Sequence, residues 1–325
     1  MHNVQHIGLG TAAIGRPQYI NIKQEGSLPD RSKKAEFDYH LFISQGMKVL
    51  EDAYQLGIRY FDTAPGYGAA EQILIDWLKK KNDPTIEVAT KWGYTYMANF
   101  DPKAAIHEIK DHSLNKLIEQ WEKSKELMPN LSTLQVHSAT FESGILKDPS
   151  ILKRLAELKS EYNLHIGITT SGHDQVEVLK YAMDIYAEEI PLFDIFQVTY
   201  NILDQSLVQI LDEFVQSRRR IVVKEAMANG RLFRNSSFPH YTAVYDNLEK
   251  MAKKYKAGVD AVALRFCLDS IHPFMVLSGA SQSIQIEENL RAKDFKLEEE
   301  DLTILKSFKL DPKLYWSERK QLSWL

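Results

Sequence analysis

The sequence predicts one α/β domain folded as a TIM (β/α)8 barrel. Eight short apolar runs, such as Ile86-Glu87-Val88-Ala89, alternate with eight longer stretches of helical periodicity, the pattern of a parallel sheet whose crossovers are helices. No break in composition divides the 325 residues, so the eight units read as one closed barrel over 1–325 and not as an open, doubly wound sheet. The strands are expected at 5–9, 58–61, 86–89, 133–136, 165–168, 195–198, 221–223 and 274–277. The helical stretches are expected at 46–56, 71–80, 106–127, 151–162, 175–187, 207–217, 243–254 and 301–308. Between the first strand and first helix, 16–39 combines Pro17, Gly26 and Pro29 with clustered charges, and reads as an inserted loop over the barrel mouth. The polar segment 229–241 and the tail 311–325 read as further long connections.

Composition narrows the function classes. Hydrophobic residues make up 44% of the chain and charged residues 26%, enough to bury a full core. A formal net charge of −4 gives no basic footprint for nucleic acid, and Arg218-Arg219-Arg220 is too short to make one. Cys267 is the single cysteine, so neither an intrachain disulfide nor a thiolate metal cage can form, which suits a reducing compartment. The first residues lack a signal-peptide pattern and no apolar run reaches membrane-spanning length. A cytoplasmic protein with no membrane or nucleic-acid partner is expected.

Active sites in this architecture lie at the C-terminal ends of the strands. There the second strand ends in Asp62 and enters the turn Thr63-Ala64-Pro65-Gly66-Tyr67-Gly68, the third ends in Thr90-Lys91, and the fourth in His137. Singly, each reads as structural: a capping aspartate, a packed tyrosine, a lysine reaching for water, a hydrogen-bonded histidine. Four titratable groups at one mouth need a reason to offset their desolvation. Lys91 beside Tyr67 is expected to lower the phenol's pKa from about 10, with Asp62 orienting Lys91 and His137 hydrogen-bonding a substrate carbonyl. That describes a general acid aimed at a carbonyl oxygen. No metal cluster or activated nucleophile is evident, so the complementary step is hydride transfer from a cofactor.

The segment Phe61-Asp62-Thr63-Ala64-Pro65-Gly66-Tyr67-Gly68, with Glu71 following, resembles the signature of the aldo-keto reductase family. Ala89-Thr90-Lys91 resembles the family's lysine strand, and Leu134-Gln135-Val136-His137 its histidine strand, preceded by Ser113-Leu114 opening a helix. The resemblance covers nearly the whole chain and implies that Tyr67 is the proton donor, Lys91 and Asp62 its tuners, and His137 the carbonyl-orienting group. It implies further that Thr169, Thr170 and Gln197 hold the nicotinamide carboxamide, that Lys224 stands against the nicotinamide face, and that Ser278, Gly279, Ala280, Ser281, Gln285, Glu288 and Asn289 bind the adenosine portion. Three positions depart from the family's pattern. Thr169-Thr170 replaces Ser-Asn, Lys224 stands where an aromatic ring or an arginine is usual, and Gln285 replaces an arginine used against the adenosine 2′-phosphate. The cofactor is accordingly NADP, by the family's habit, or NAD.

Two other readings stay open: a barrel that binds the cofactor as a non-catalytic, redox-sensing subunit, and a lyase using Lys91 as a Schiff-base amine. The substrate is a small carbonyl compound or sugar. Its identity is set by the loops, where Trp92, Tyr94, Trp316 and Trp324 either offer stacking surfaces for a sugar or an aromatic carbonyl or simply pack the loops.

Overall fold

The apolar runs pair in parallel and close on themselves. The computed structural model describes residues 6–17, 37–101 and 103–322. Its barrel strands are β1 (Ile7–Gly10), β2 (Tyr60–Asp62), β3 (Glu87–Trp92), β4 (Leu131–Ala139), β5 (His165–Thr170), β6 (Ile195–Thr199), β7 (Arg220–Lys224) and β8 (Met275–Ser278). Each pairs with the next, and β8 returns to β1. The expected (β/α)8 barrel is what the chain forms.

Because strand side chains alternate, every second residue faces the helices and the others face the barrel axis. Leu9, Phe61, Val88, Val136, Ile168, Val198, Val223 and Val276 are fully buried and join the large core between barrel and helices. Truncating such a residue, Phe61→Ala for example, costs about 3–5 kcal/mol. The intervening positions form a second cluster on the barrel floor: Tyr60, Ala89, Ile195, Val222, Met275 and Leu277. Two residues further along these strands the inward set turns polar, Tyr60 giving way to Asp62, Ala89 to Lys91, Ile195 to Gln197 and Val222 to Lys224. Gly167 has no Cβ because one there would lie 2.7 Å from Gln135 Cγ.

Several elements differ from expectation. Only Leu114–Ser124 of the stretch 106–127 is α-helical, with Ser113 as its N-cap; the earlier part supplies Glu108–Lys110, which pairs antiparallel with Tyr94–Tyr96. The tail is not a plain connection: Asp311 caps the helix Pro312–Lys320 by accepting from the N–H groups of Lys313 and Leu314, and Tyr315 and Trp316 pack into the core. The helix Val259–Ile271, not anticipated from periodicity, is buried at Ala261, Val262, Leu264, Phe266 and Cys267, with too little polar contrast to show an amphipathic stripe. Most of the inserted loop, 18–36, lies outside the described residues. No helix among the described residues is long and apolar enough to cross a membrane.

Candidate active site

The turn after β2 fixes the first two groups. Pro65–Tyr67 forms a single 3-10 turn, closed by Tyr67 N–H donating to the Ala64 carbonyl at 3.0 Å. Gly68 ends it at φ +66°, and a Cβ there would lie 2.4 Å from the Gly15 carbonyl oxygen, so both backbone conformation and space require glycine.

Asp62 is the hub. Its Oδ1 accepts from the Lys91 ammonium, while Oδ2 accepts from Gln197 Nε2 at 2.7 Å and Gln135 Nε2 at 3.1 Å. Lys91 also donates to the Thr63 carbonyl at 3.0 Å. Asp62 and Lys91 are 2% and 1% exposed, a buried pair with supporting hydrogen bonds, the arrangement that makes burial of two charges tolerable. A lysine engaged in this way is held as an ammonium, which counts against the Schiff-base reading.

Tyr67 lies over this pair, with Lys91 Nζ 4.8 Å from the ring centroid. The expected lowering of the phenol does not occur. Burial, reinforced by the Asp62 charge, pushes Tyr67 well above its ordinary value, with Arg16 opposing. Tyr67 is therefore held in its protonated, phenol form.

His137 faces Tyr67 edge-on, ring centroids 5.5 Å apart, and packs against Tyr94 at 4.6 Å. A break in strand register between Val136 and Ala139, with Ser138 at φ +50°, turns the chain here. Thr169 Oγ1 fixes that bulge by accepting from Ser138 N–H at 2.7 Å. Burial, and then the charges of Lys91 and Arg16, hold His137 well below the usual imidazole range, so it is neutral, and its Nδ1 has no hydrogen-bond partner. A neutral imidazole can donate one hydrogen bond to a carbonyl oxygen while Tyr67 donates the other.

Three further residues shape this side and escaped the sequence reading. Arg16, 5% exposed, lies 5.4 Å from the Tyr67 ring centroid and ties the Gly66 carbonyl to Glu108 at 3.3 and 2.9 Å. Gln120 clamps the start of the hairpin, accepting from Gly93 N–H and donating to the Tyr94 carbonyl, both at 2.8 Å. Gln135 belongs to a segment noted for its histidine alone, and no local pattern marks its bond to Asp62. Of the aromatics proposed as stacking surfaces, Trp92 is buried and Trp316 is buried with its Nε1 donating to Asp204 at 3.2 Å, so both pack the protein. Tyr94 does face the site, and Trp324 lies outside the described residues.

The other cofactor candidates fall in two places. Thr170 Oγ1 is buried without a partner, and Lys224 Nζ donates to Thr199 Oγ1 at 2.8 Å. After β8, Ser278 Oγ accepts from Ala280 N–H at 3.2 Å and leads into the helix Ser283–Leu290. Gln285 is exposed and accepts from Ser281 N–H at 2.9 Å. Asn289 is 3% exposed, donates to the Gln285 carbonyl at 2.6 Å and keeps an unpartnered Oδ1, while Glu288 meets Arg291 at 3.5 Å. A Cβ on Gly279 would meet nothing within 4 Å, so the loop is open on that side.

A parallel eight-stranded barrel with a lysine–carboxylate pair, a tyrosine and a neutral histidine at its C-terminal mouth defines a carbonyl-handling class of protein. The family model described as "Aldo/keto reductase family" matches residues 6–309, and the chain belongs to that family of oxidoreductases acting on carbonyl groups. Among its relatives, the NADH-specific methylglyoxal reductase of Escherichia coli (strain K12) is 24% identical over 93% of this chain and 94% of its own. L-galactose dehydrogenase of Arabidopsis thaliana is 26% identical over 75% and 76% of the two chains. Among solved structures, an aldo-keto reductase of Bacillus halodurans in its holo form superposes with a TM-score of 0.66 at 21% identity, covering 94% of this chain and 92% of its own.

Proposed function

We propose that this protein interconverts a small carbonyl compound and its alcohol with a nicotinamide cofactor, Tyr67 being the general acid and base. The observation that supports this most is the buried network of Asp62 and Lys91 beneath a protonated Tyr67, with neutral His137 facing it. When bound, the cofactor supplies hydride to the carbonyl carbon, or receives it in the reverse direction. Tyr67 and His137 grip the carbonyl oxygen, and Tyr67 gives up its proton as negative charge develops there. Lys91 lies below the ring, where its ammonium offsets the phenolate left behind.

The residues present fit such a cofactor. The unpartnered hydroxyl of Thr170 suits the carboxamide, and Thr169 keeps its own O–H free to donate while accepting from Ser138. Gln197 is engaged on Asp62 through Nε2, which leaves its carbonyl oxygen as the atom to meet the carboxamide N–H. The open Gly279 loop and the unpartnered Asn289 Oδ1 suit the adenosine portion. Gln285 offers no positive charge for a 2′-phosphate, which favours NADH over NADPH. The relative named for NADH specificity agrees with that preference without deciding it.

Titration of intrinsic fluorescence with NADH and with NADPH, followed by turnover on an aldehyde panel, tests the reading. Binding of either cofactor with turnover supports it. Binding without turnover on any carbonyl favours a redox-sensing subunit, and no binding overturns the reading.

A further inference from the structure

Among the described residues, the cations around the barrel mouth are paired with carboxylates in all but two cases. Lys91 is bound to Asp62, Arg16 to Glu108, Arg319 to Glu225 and Arg231 to Glu318, the last three at 2.9, 2.7 and 3.2 Å. Lys110 has no carboxylate but is exposed to water, donating to the Ser138 carbonyl at 3.0 Å. Lys224 is the exception. It is half-buried at the end of β7, and its ammonium has a single hydrogen bond, to the uncharged Thr199 hydroxyl at 2.8 Å, with the Trp316 ring 5.9 Å away. Neither nearby carboxylate forms an ion pair with it: Glu225 is bound to Arg319 through Oε1, and the Asp204 carboxylate is occupied by Ser206, Gln175 and Trp316, although the charges of both oppose the effect of burial on the ammonium.

An ammonium with three N–H donors and one neutral acceptor is costly away from bulk water unless an anion completes it. Burial, the largest influence, lowers its pKa. Its field also acts on His137, which places it within electrostatic reach of the group facing the carbonyl. Lys224 stands inward, two residues above Val222 of the barrel floor, and so faces the same space as Asp62 and Gln197.

Resting on the reductase reading above, we propose that Lys224 receives a carboxylate of the substrate, so that the preferred carbonyl compounds are oxo acids and not neutral aldehydes or sugars. The same ammonium would also suit a phosphate of the cofactor, and the test separates the two sources.

The experiment compares kcat/KM for glyoxylate with methyl glyoxylate, and for 4-carboxybenzaldehyde with methyl 4-formylbenzoate, in the wild type and in Lys224→Met and Lys224→Arg. Dissociation constants for NADH and NADPH are measured in parallel. The acid should exceed its ester by about tenfold or more in at least one pair, the ratio should collapse toward one in Lys224→Met through KM, and Lys224→Arg should restore it. Acids no better than esters, or a ratio unchanged in Lys224→Met, overturns the proposal. An unchanged ratio accompanied by weakened cofactor binding assigns the ammonium to a phosphate instead. Because the neutral esters report turnover independently of charge, a wild type inactive on all four compounds that still binds cofactor overturns the reductase reading itself.

Discussion

Asp62 gathers hydrogen-bond donors from residues 29, 73 and 135 positions further along the chain, whereas after β8 the polar side chains bond within their own loop and helix, Ser281 and Asn289 each to Gln285 four residues away. The first region is assembled by closure of the barrel and is almost wholly buried. The second is assembled by local chain geometry, and Gln285 is open to water. Groups that handle the proton need fixed partners in a dry setting, where electrostatic interactions are strong. Groups that hold one end of an extended ligand need only be presented. Substitutions on the Asp62 side should therefore alter stability and chemistry together, and those after β8 should alter affinity alone.

The largest effect expected from this contrast is on folding. Lys91→Met leaves the Asp62 carboxylate buried without its countercharge, and should lower the unfolding free energy by about 3–5 kcal/mol in urea denaturation. A loss below 1 kcal/mol would show that Asp62 is not committed to Lys91. Next comes Gln135→Leu, which removes one donor to the same carboxylate and leaves it partly unsatisfied, for about 1–3 kcal/mol in the same assay.

The pH dependence of stability sharpens the comparison. Burial holds His137 well below the usual range and His112 at about 4. Since both folded values lie below the unfolded one, near 6.5, the unfolded chain takes up protons first as the pH falls. Stability is thus fully present above about pH 7 and declines toward pH 5, by roughly 1–2 kcal/mol for each histidine. A melting temperature flat between pH 7 and 5 would contradict the neutral, buried imidazoles. The smallest effect belongs after β8. Gln285→Arg should tighten NADPH about tenfold while leaving NADH binding nearly unchanged, read by fluorescence titration. Equal tightening of both cofactors would mean that residue 285 does not meet the 2′-position.

The same division explains what was legible in the sequence. The strands and most helices follow from periodicity, and Asp62, Tyr67, Lys91 and His137 stand out because each closes an apolar run with a reactive side chain. Asp311-Pro312, an N-cap followed by proline, was a readable start signal for the last helix. Less readable were the roles of Arg16 and Gln135, since their partners Glu108 and Asp62 lie 92 and 73 residues away and only the closed barrel brings them together. Helix Val259–Ile271 was hidden for a different reason: it is apolar on several faces and gives little contrast between them. The upward shift of Tyr67 could not be read from the sequence either, because it depends first on the burial of its ring and then on the Asp62 charge beside it.

The central claim is that Tyr67 moves the proton while the rest of the site only prepares it. The most direct measurement is single-turnover reduction of an aldehyde by preformed enzyme–cofactor complex, comparing the wild type with Tyr67→Phe. The account predicts that cofactor affinity survives in the variant while the chemical step slows by about 10²–10⁴-fold. A variant that turns over within a fewfold of the wild type would contradict it, and the general acid would have to be sought elsewhere at the mouth.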